Sequence, residues 1–323
     1  MKKTLSFLLL AFLAVVLASC SDGGKKRALR FTTGGEAGTY YAFGSVIAQH
    51  ITNNAGVEVL GLVGKGSQGN IMALTDRTAE LAFCQSDVMA YAYNGTNTFA
   101  QQGKVTDFSV LAALYTEQVQ IITVNPGIKS VADLRGKVVS IGAAGSGVYF
   151  NAIDILKAYG MTEDDIKATY QSFGDSADAL KDGKIDAAFI VAGAPTTAVT
   201  DLATTKDVSL ISIDDEHADA LIAMAPYYSK ATIVKDTYKT AADVQTLAVG
   251  AVVIVRNDVS DDDVYAICAD IFENAPNLGS IHAKYNEINL EYGASMTSVP
   301  YHPGAARYFS EKGYPVASSV TSK

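Results

Sequence analysis

Three times in this chain a short apolar run breaks into a glycine-rich turn carrying Ser or Thr, and the turn gives way to a helical pattern. The turns are Phe31-Thr32-Thr33-Gly34-Gly35-Glu36-Ala37-Gly38-Thr39-Tyr40-Tyr41, Gly64-Lys65-Gly66-Ser67-Gln68-Gly69-Asn70 and Gly142-Ala143-Ala144-Gly145-Ser146-Gly147. Each places unpaired backbone N–H groups at a helix start, where the peptide dipoles add partial positive charge. Such a place holds a carboxylate or phosphate without a cationic side chain. Three of them in one chain predict a cleft whose walls grip one small anion by backbone.

Around these turns strands and helices alternate. Leu29–Thr33, Val57–Leu62 and Glu80–Gln85 read as strands, and helices fill Thr39–Asn53 and Ser67–Thr75. Val110–Tyr115 and Val119–Val124 read as two strands interrupted by Thr116-Glu117-Gln118. A similar unit follows, with a short helix at Ser130–Leu134, a strand at Lys137–Ile141, helices at Val148–Tyr159 and Ala177–Asp182, and a strand at Ala187–Val191. Alternation of this kind predicts parallel sheets covered by helices on both faces. Leu247–Val255 reads as a strand, followed by helices at Asp261–Asn274 and Ile281–Tyr292 and one opened by Tyr301-His302-Pro303. A lone strand with helices builds no core of its own, so this tail is expected to complete the first lobe, with crossing strands joining the two. The expected division is 29–122 with 246–323 for lobe 1, and 123–245 for lobe 2. The fold class is α/β and two-lobed, each lobe a mostly parallel sheet flanked by helices. Ligands of open α/β sheets lie beyond the carboxyl ends of the strands, where all three turns fall.

The first residues read as targeting rather than fold. Lys2 and Lys3 precede the apolar run Leu5 to Leu17, and Leu17-Ala18-Ser19-Cys20 reads as a lipobox. Residues 1–19 are thus expected to be a lipoprotein signal peptide, Cys20 the lipidated residue, and 20–28 a tether. This expectation makes the chain extracytoplasmic and membrane-anchored. The rest, roughly 300 residues, suffices for two ordinary lobes. The net charge of −9, more negative once Lys2 and Lys3 leave, argues against nucleic acid as a partner.

Enzyme readings find no support. No turn has the Gly-x-Gly-x-x-Gly order or the Gly-Lys-Ser/Thr ending of a nucleotide loop, and no Gly-x-Ser-x-Gly elbow is present. His50, His217, His282 and His302 are scattered, so neither a triad nor a zinc site is indicated, and no cofactor is expected. Asp261-Asp262-Asp263 is most simply an acidic helix start. Cys84 and Cys268 read as buried thiols ahead of a disulfide, although their spacing leaves both open.

In collinear order the motifs Thr33-Gly34-Gly35 with Gly38 and Tyr40-Tyr41, Gly66-Ser67 with Asn70, Gln85-Ser86-Asp87, and Leu114-Tyr115 with Glu117 carry a family resemblance. So do Val131-Ala132-Asp133-Leu134 with Gly136-Lys137, Gly145-Ser146-Gly147, Gly183-Lys184 with Asp186-Ala187, Val191-Ala192-Gly193 with Pro195, and His302-Pro303-Gly304-Ala305 with Arg307-Tyr308. Over about residues 29–312 the chain resembles the TAXI-type solute receptors of TRAP transporters. The resemblance implies a monomeric type II periplasmic-binding fold that closes on a small carboxylate, either a glutamate-like amino acid or a 2-oxoglutarate-like dicarboxylate. It also implies a TRAP membrane subunit as partner. A module that senses a ligand and signals to a membrane partner is the alternative.

Each candidate ligand residue has a plainer role beside it. Ser67, Asn70 and Ser146 either contact ligand or cap helices. Thr39 and Tyr40 follow the first turn, and Tyr40 either covers the ligand or packs at the helix start. Gln85 and Asp87 end a strand at the expected cleft. Glu117 either pairs with a ligand ammonium or orients backbone between lobes. Gly34, Gly35 and Gly147 offer backbone, Gly193 and Pro195 shape a fourth wall, and Val148 stands where the family commonly has Thr. Arg135 and Arg307 read as structural.

Overall fold

The computed structural model describes residues 27–319. The leader and the Cys20 lipidation expectation therefore lie outside the described residues. In chain order the first unit is β1 (Leu29–Thr32), α1 (Thr39–Asn54), β2 (Val59–Leu62), α2 (Ser67–Thr75), β3 (Leu81–Gln85) and α3 (Ser86–Asn94). The long β4 (Phe108–Thr123) leads into β5 (Val138–Ser140), α4 (Val148–Ala158), β6 (Lys167–Thr169), α5 (Phe173–Lys181), β7 (Ala187–Ala192) and α6 (Thr197–Ala203). Then come β8 (Ser209–Ile211), α7 (Asp215–Met224), β9 (Ser229–Ile233), β10 (Val244–Arg256), α8 (Asp261–Leu278), α9 (Leu290–Gly293) and α10 (Pro303–Glu311).

The strands form one continuous hydrogen-bonded sheet in the order β2-β1-β3-β10-β4-β7-β5-β6. It contains two matching halves. β1 is flanked by parallel β2 and β3, and β5 by parallel β6 and β7. Between the halves run β4 and β10, antiparallel to each other and to their neighbours β3 and β7. Each crossing strand serves both halves. Val110–Tyr115 of β4 and Ala251–Val255 of β10 belong to one large core with α1, α8 and α10. Val119 and Ile121, with Leu247 and Val249, belong to the core around α4. A smaller core under α5 and α6 covers the other face. The fold is thus the two-lobed α/β class expected.

Several expectations are corrected. Thr116-Glu117-Gln118 does not interrupt a strand: β4 is unbroken, because each residue there pairs with β10. Polar residues are tolerated at this point because the strand is passing from one apolar core to the next. The lobes are mostly parallel in the sense expected, with β4, β8, β9 and β10 as the antiparallel strands. Ile281–Tyr292 is not one helix but a 3₁₀ turn at Ala283–Glu287 followed by α9. Asn289 causes the break, since its side chain accepts from the Tyr292 N–H and starts α9 afresh. α8 runs to Leu278, beyond the expected Asn274 and through Pro276. Cys84 and Cys268 are both free and buried.

Candidate functional site

The three glycine turns converge on one cavity of about 580 Å³. α1, α2 and α4 begin at its wall, and their N-caps are Gly38, Gly66 and Gly147, none with a side-chain capping bond. Neither Ser67 nor Ser146 caps its helix, which sets the capping alternative aside for both. Gly66 and Gly145 hold φ of +86° and +85°, a region that favours glycine, and within and between the turns the Gly38, Gly69 and Ser146 N–H groups donate to the Gly35, Gly145 and Ala143 carbonyls. A fourth helix, α5, brings Ser172 and Phe173 to the wall, and Ser172 caps it by accepting from Asp175 N–H.

Of the expected residues, Gly34, Gly35, Thr39, Tyr40, Ser67, Gln85, Glu117, Ser146, Gly147 and Val148 line this cavity. Asn70, Asp87, Gly193 and Pro195 are not on its wall. Asn70 lies beneath it and ties the strands together. Its amide donates to Thr33 O and Phe83 O (2.9 Å to the latter), and its carbonyl oxygen accepts from Thr32 Oγ1. Gly193 supplies a carbonyl to Thr39 Oγ1 at 2.7 Å, and a side chain at this position would collide with Lys284 and Tyr115. Pro195 follows a cis peptide bond after Ala194. Lys65, Gln171, Ser172 and Phe173 also line the cavity and were missed by sequence reasoning. The Ser172-x-x-Asp175 spacing was the available signal for a helix opening there.

The polar side chains of the wall are held from behind. Tyr40 stacks on Phe83 with ring centroids 4.6 Å apart, and its hydroxyl donates to Glu117 Oε2 at 2.7 Å. Burial pushes the Glu117 carboxyl up to about 8, against the Tyr40 hydroxyl and with nearby Asp87 adding to the rise. Ser67 Oγ accepts from Gln85 N–H at 3.0 Å, and its hydroxyl also lies in hydrogen-bonding reach of the Cys84 sulfur. Three buried side-chain oxygens on the wall have no hydrogen-bond partner: Gln85 Oε1, Ser146 Oγ and Gln171 Oε1. Buried polar atoms are seldom left unpaired, and these three are covered by neighbouring atoms, so a polar guest reaches them only if the wall shifts slightly. Lys65 is the one cation on it, beside the acidic Glu36, Asp175 and Asp178.

The two halves meet around the cavity through direct bonds. Gly69 N–H donates to Gly145 O at 3.0 Å, Ala198 N–H to Ala37 O at 3.2 Å, and Gln85 Nε2 to Asn151 Oδ1 at 3.1 Å. Among the described residues no group of His, Cys, Asp and Glu is placed to hold a metal ion, and no helix is long and apolar enough to cross a membrane.

Comparison with known proteins agrees with this architecture. A protein of Bordetella bronchiseptica RB50 matches with a TM-score of 0.53 and 15% identity, over 92% of this chain and 86% of that one. The alkanesulfonate-binding protein SsuA of Xanthomonas axonopodis pv. citri, bound to MOPS, matches at 0.51 and 14% identity, over 92% and 87%. PhnD1 of Prochlorococcus marinus (MIT 9301), in complex with methylphosphonate, matches at 0.52 and 11% identity, over 82% and 89%. At such identities the likeness speaks for the fold. Residues 31–313 match the model of one protein family, described as NMT1-like.

Proposed function

Since this chain belongs to the NMT1-like family, we propose that it is an extracytoplasmic solute receptor. It captures a small carboxylate between its lobes and delivers it to a membrane transporter. The observation that carries this reading is the convergence of three helix starts without side-chain caps, α1, α2 and α4, on one cavity whose lining residues include Gln85, Ser146 and Gln171 with unpartnered oxygens. Fixed N–H dipoles replace the hydration of a carboxylate, and the Ser67 and Ser146 hydroxyls add donors. Only the closed lobes present all of these at once, so the ligand stabilises closure in proportion to its differential affinity. No step breaks or forms a covalent bond, and the protein acts as a receptor rather than an enzyme.

The finer reading is of a TAXI-type receptor working as a monomer with a TRAP subunit and held at the membrane by a lipid on Cys20. Residues 29–122 with 246–323 make the lobe that carries two glycine turns, and 123–245 the lobe that carries the third. The ligand is a glutamate-like amino acid or a 2-oxoglutarate-like dicarboxylate. Glu117 suits an ammonium when ionised and a second carboxyl when protonated.

A thermal-shift screen of amino acids, keto acids, dicarboxylates, sulfonates, phosphonates and sugars tests the class. Stabilisation by carboxylates is expected, and stabilisation by neutral sugars alone overturns the reading. Calorimetry then tests the site. Ser67→Ala and Ser146→Ala each weaken binding by about 1.5–3 kcal/mol, the worth of a hydrogen bond to a charged group. Unchanged affinity in both removes the assignment.

A further inference from the structure

Behind the cavity a buried chain of side-chain amides leads from Asp87 to the wall. Asp87, at the start of α3, has no exposed surface, and its Oδ2 accepts from Asn151 Nδ2 at 2.9 Å. Asn151, on α4 in the opposite half, is equally buried. Its Nδ2 also donates to the Tyr228 hydroxyl at 2.8 Å, and its Oδ1 accepts from Gln85 Nε2 at 3.1 Å. The Tyr228 hydroxyl passes on to Asp154 Oδ2 at 3.1 Å. Gln85 Oε1 is then left at the cavity wall, packed against Gly147 and without a partner.

Amide side chains have a donor end and an acceptor end, and each neighbour dictates the next. An ionised Asp87 only accepts, so Asn151 must point Nδ2 at it and Oδ1 at Gln85. Gln85 must answer with Nε2, which leaves Oε1, an acceptor, against Gly147 at the wall without a partner. A proton carried on Oδ2, rather than on the buried and partnerless Oδ1, makes Asp87 the donor to Asn151, and every link reverses. Asn151 turns Oδ1 to Asp87, and its Nδ2 meets Gln85 Oε1. Tyr228 turns its hydroxyl from Asp154 to Asn151 Oδ1. Gln85 then shows Nε2, a donor, to the ligand.

We propose that the protonation state of Asp87 sets which hydrogen-bonding end Gln85 turns to the cavity, and so whether the site favours a donor-bearing or an acceptor-bearing ligand. The inference rests on the receptor reading above. Asp87 is here a positioning residue that acts through Asn151 and Gln85. The groups facing it are Cys84 from β3, Glu117 from β4, Tyr91 on its own helix, Asp154 from α4 and Tyr228 before β9, none of them cationic. Burial, with Asp154 adding to it, pushes its carboxyl up to about 7, so the proton comes and goes near neutrality.

The test uses two probes that differ at one position, L-glutamate with its α-ammonium donor and 2-oxoglutarate with its α-carbonyl acceptor. Their affinities are measured by calorimetry from about pH 5.5 to 8.5. The preference for L-glutamate over 2-oxoglutarate is expected to rise about tenfold or more with pH where Asp87 is present, the usual cost of facing a donor to a donor. The comparison is made in a Glu117→Gln background, because Glu117 on the cavity wall titrates in the same range; there Asp87→Asn, which keeps the shape but cannot titrate, is expected to hold the preference within about twofold. A flat ratio with Asp87 present, or the same rise in Asp87→Asn, overturns the proposal. If neither probe binds, the carboxylate reading fails by itself, and nuclear magnetic resonance of the protein alone still decides the relay. The Gln85 and Asn151 side-chain amide resonances are expected to titrate with the midpoint of the Asp87 carboxyl carbon. Amides that stay fixed while Asp87 titrates overturn it.

Discussion

Replacing Gly147 by Ala puts the packing of the cavity wall to the test. Gly147 sits at φ −75° and ψ −18°, where any residue is comfortable. On backbone grounds alone the substitution would stabilise the fold by about 0.4–1 kcal/mol through the unfolded chain. The added methyl, however, would lie 1.6 Å from Gln85 Oε1 and 3.0 Å from Ser67 Oγ. To reach ordinary contact the Gln85 amide must retreat by roughly 1.5 Å, and it is held at its other end by Asn151. Losing that bond costs about 0.5–1.5 kcal/mol, and overfilling a packed site about 1–3 kcal/mol. The steric loss outweighs the entropic gain, and a net destabilisation of about 1–3 kcal/mol is expected. Urea unfolding reads it as a lower midpoint with an unchanged slope. Gly35→Ala is the control, because a methyl there meets nothing within 4 Å, and its effect is expected within about 0.5 kcal/mol. A Gly147→Ala protein more stable than wild type would show that Gln85 is not pinned, and the reasoning about the wall would fail.

Other outcomes follow from the same geometry. Tyr40→Phe removes the 2.7 Å donor to Glu117 Oε2 and is expected to cost about 1–3 kcal/mol of stability above neutral pH, measured by denaturant unfolding. A cost no greater at pH 8.5 than at pH 5 would refute an ionised Glu117 as the partner. Burial raises the Glu117 carboxyl to about 8, so the folded chain binds a proton that the unfolded chain releases. Its contribution is therefore fully present below the ordinary carboxylate range and is lost as pH rises toward about 8. Relative to wild type, Glu117→Gln should gain stability over that interval. The subtraction removes His282 and His302, whose burial acts in the opposite sense below their own ordinary range. Asn70→Ala leaves the Thr33 and Phe83 carbonyls buried without donors and is expected to cost about 2–4 kcal/mol, read by thermal unfolding. Gly193→Ala drives a methyl to 2.5 Å from Lys284 Cε and 2.9 Å from Tyr115 Cε2. A loss of about 1–3 kcal/mol is expected, and a neutral result would show Lys284 free to move aside.

Much of the first half was legible because local signals agreed there. Gly66-Ser67 before an apolar period marked α2 to the residue, and Thr39 marked the start of α1. The wall was legible for the same reason, since eight of its ten expected residues belong to glycine turns or a strand end that patterning locates, and Val148 directly follows one. What failed depended on partners distant in sequence. Thr116-Glu117-Gln118 looked like a break because three polar residues in a row seldom sit in a buried strand, yet β10 supplies their partners from more than 120 residues away. Likewise Asn70 and Asp87 read as ligand contacts from their place beside the turns. Their hydrogen bonds to Thr33, Phe83 and Asn151 exist only once the strands and the opposite half are assembled. α5 was read too short because Gln171-Ser172-Phe173 carries no apolar period, and its entry is set by one capping serine.

β10 lies between β3 and β4, although it follows them by more than a hundred residues. A chain growing from its N-terminus cannot close the sheet of its first half until Arg256 has emerged. β3 keeps an open edge until then, and the core formed with Val264, Ile267 and Tyr308 arrives later still. Folding must wait for contacts of high sequence separation, which are slow to form. On the extracytoplasmic reading proposed above, the chain gains from that delay, because a polypeptide threaded through a narrow export channel has to stay unfolded on the side where it is made. The seam that joins the lobes thus also acts as a timer.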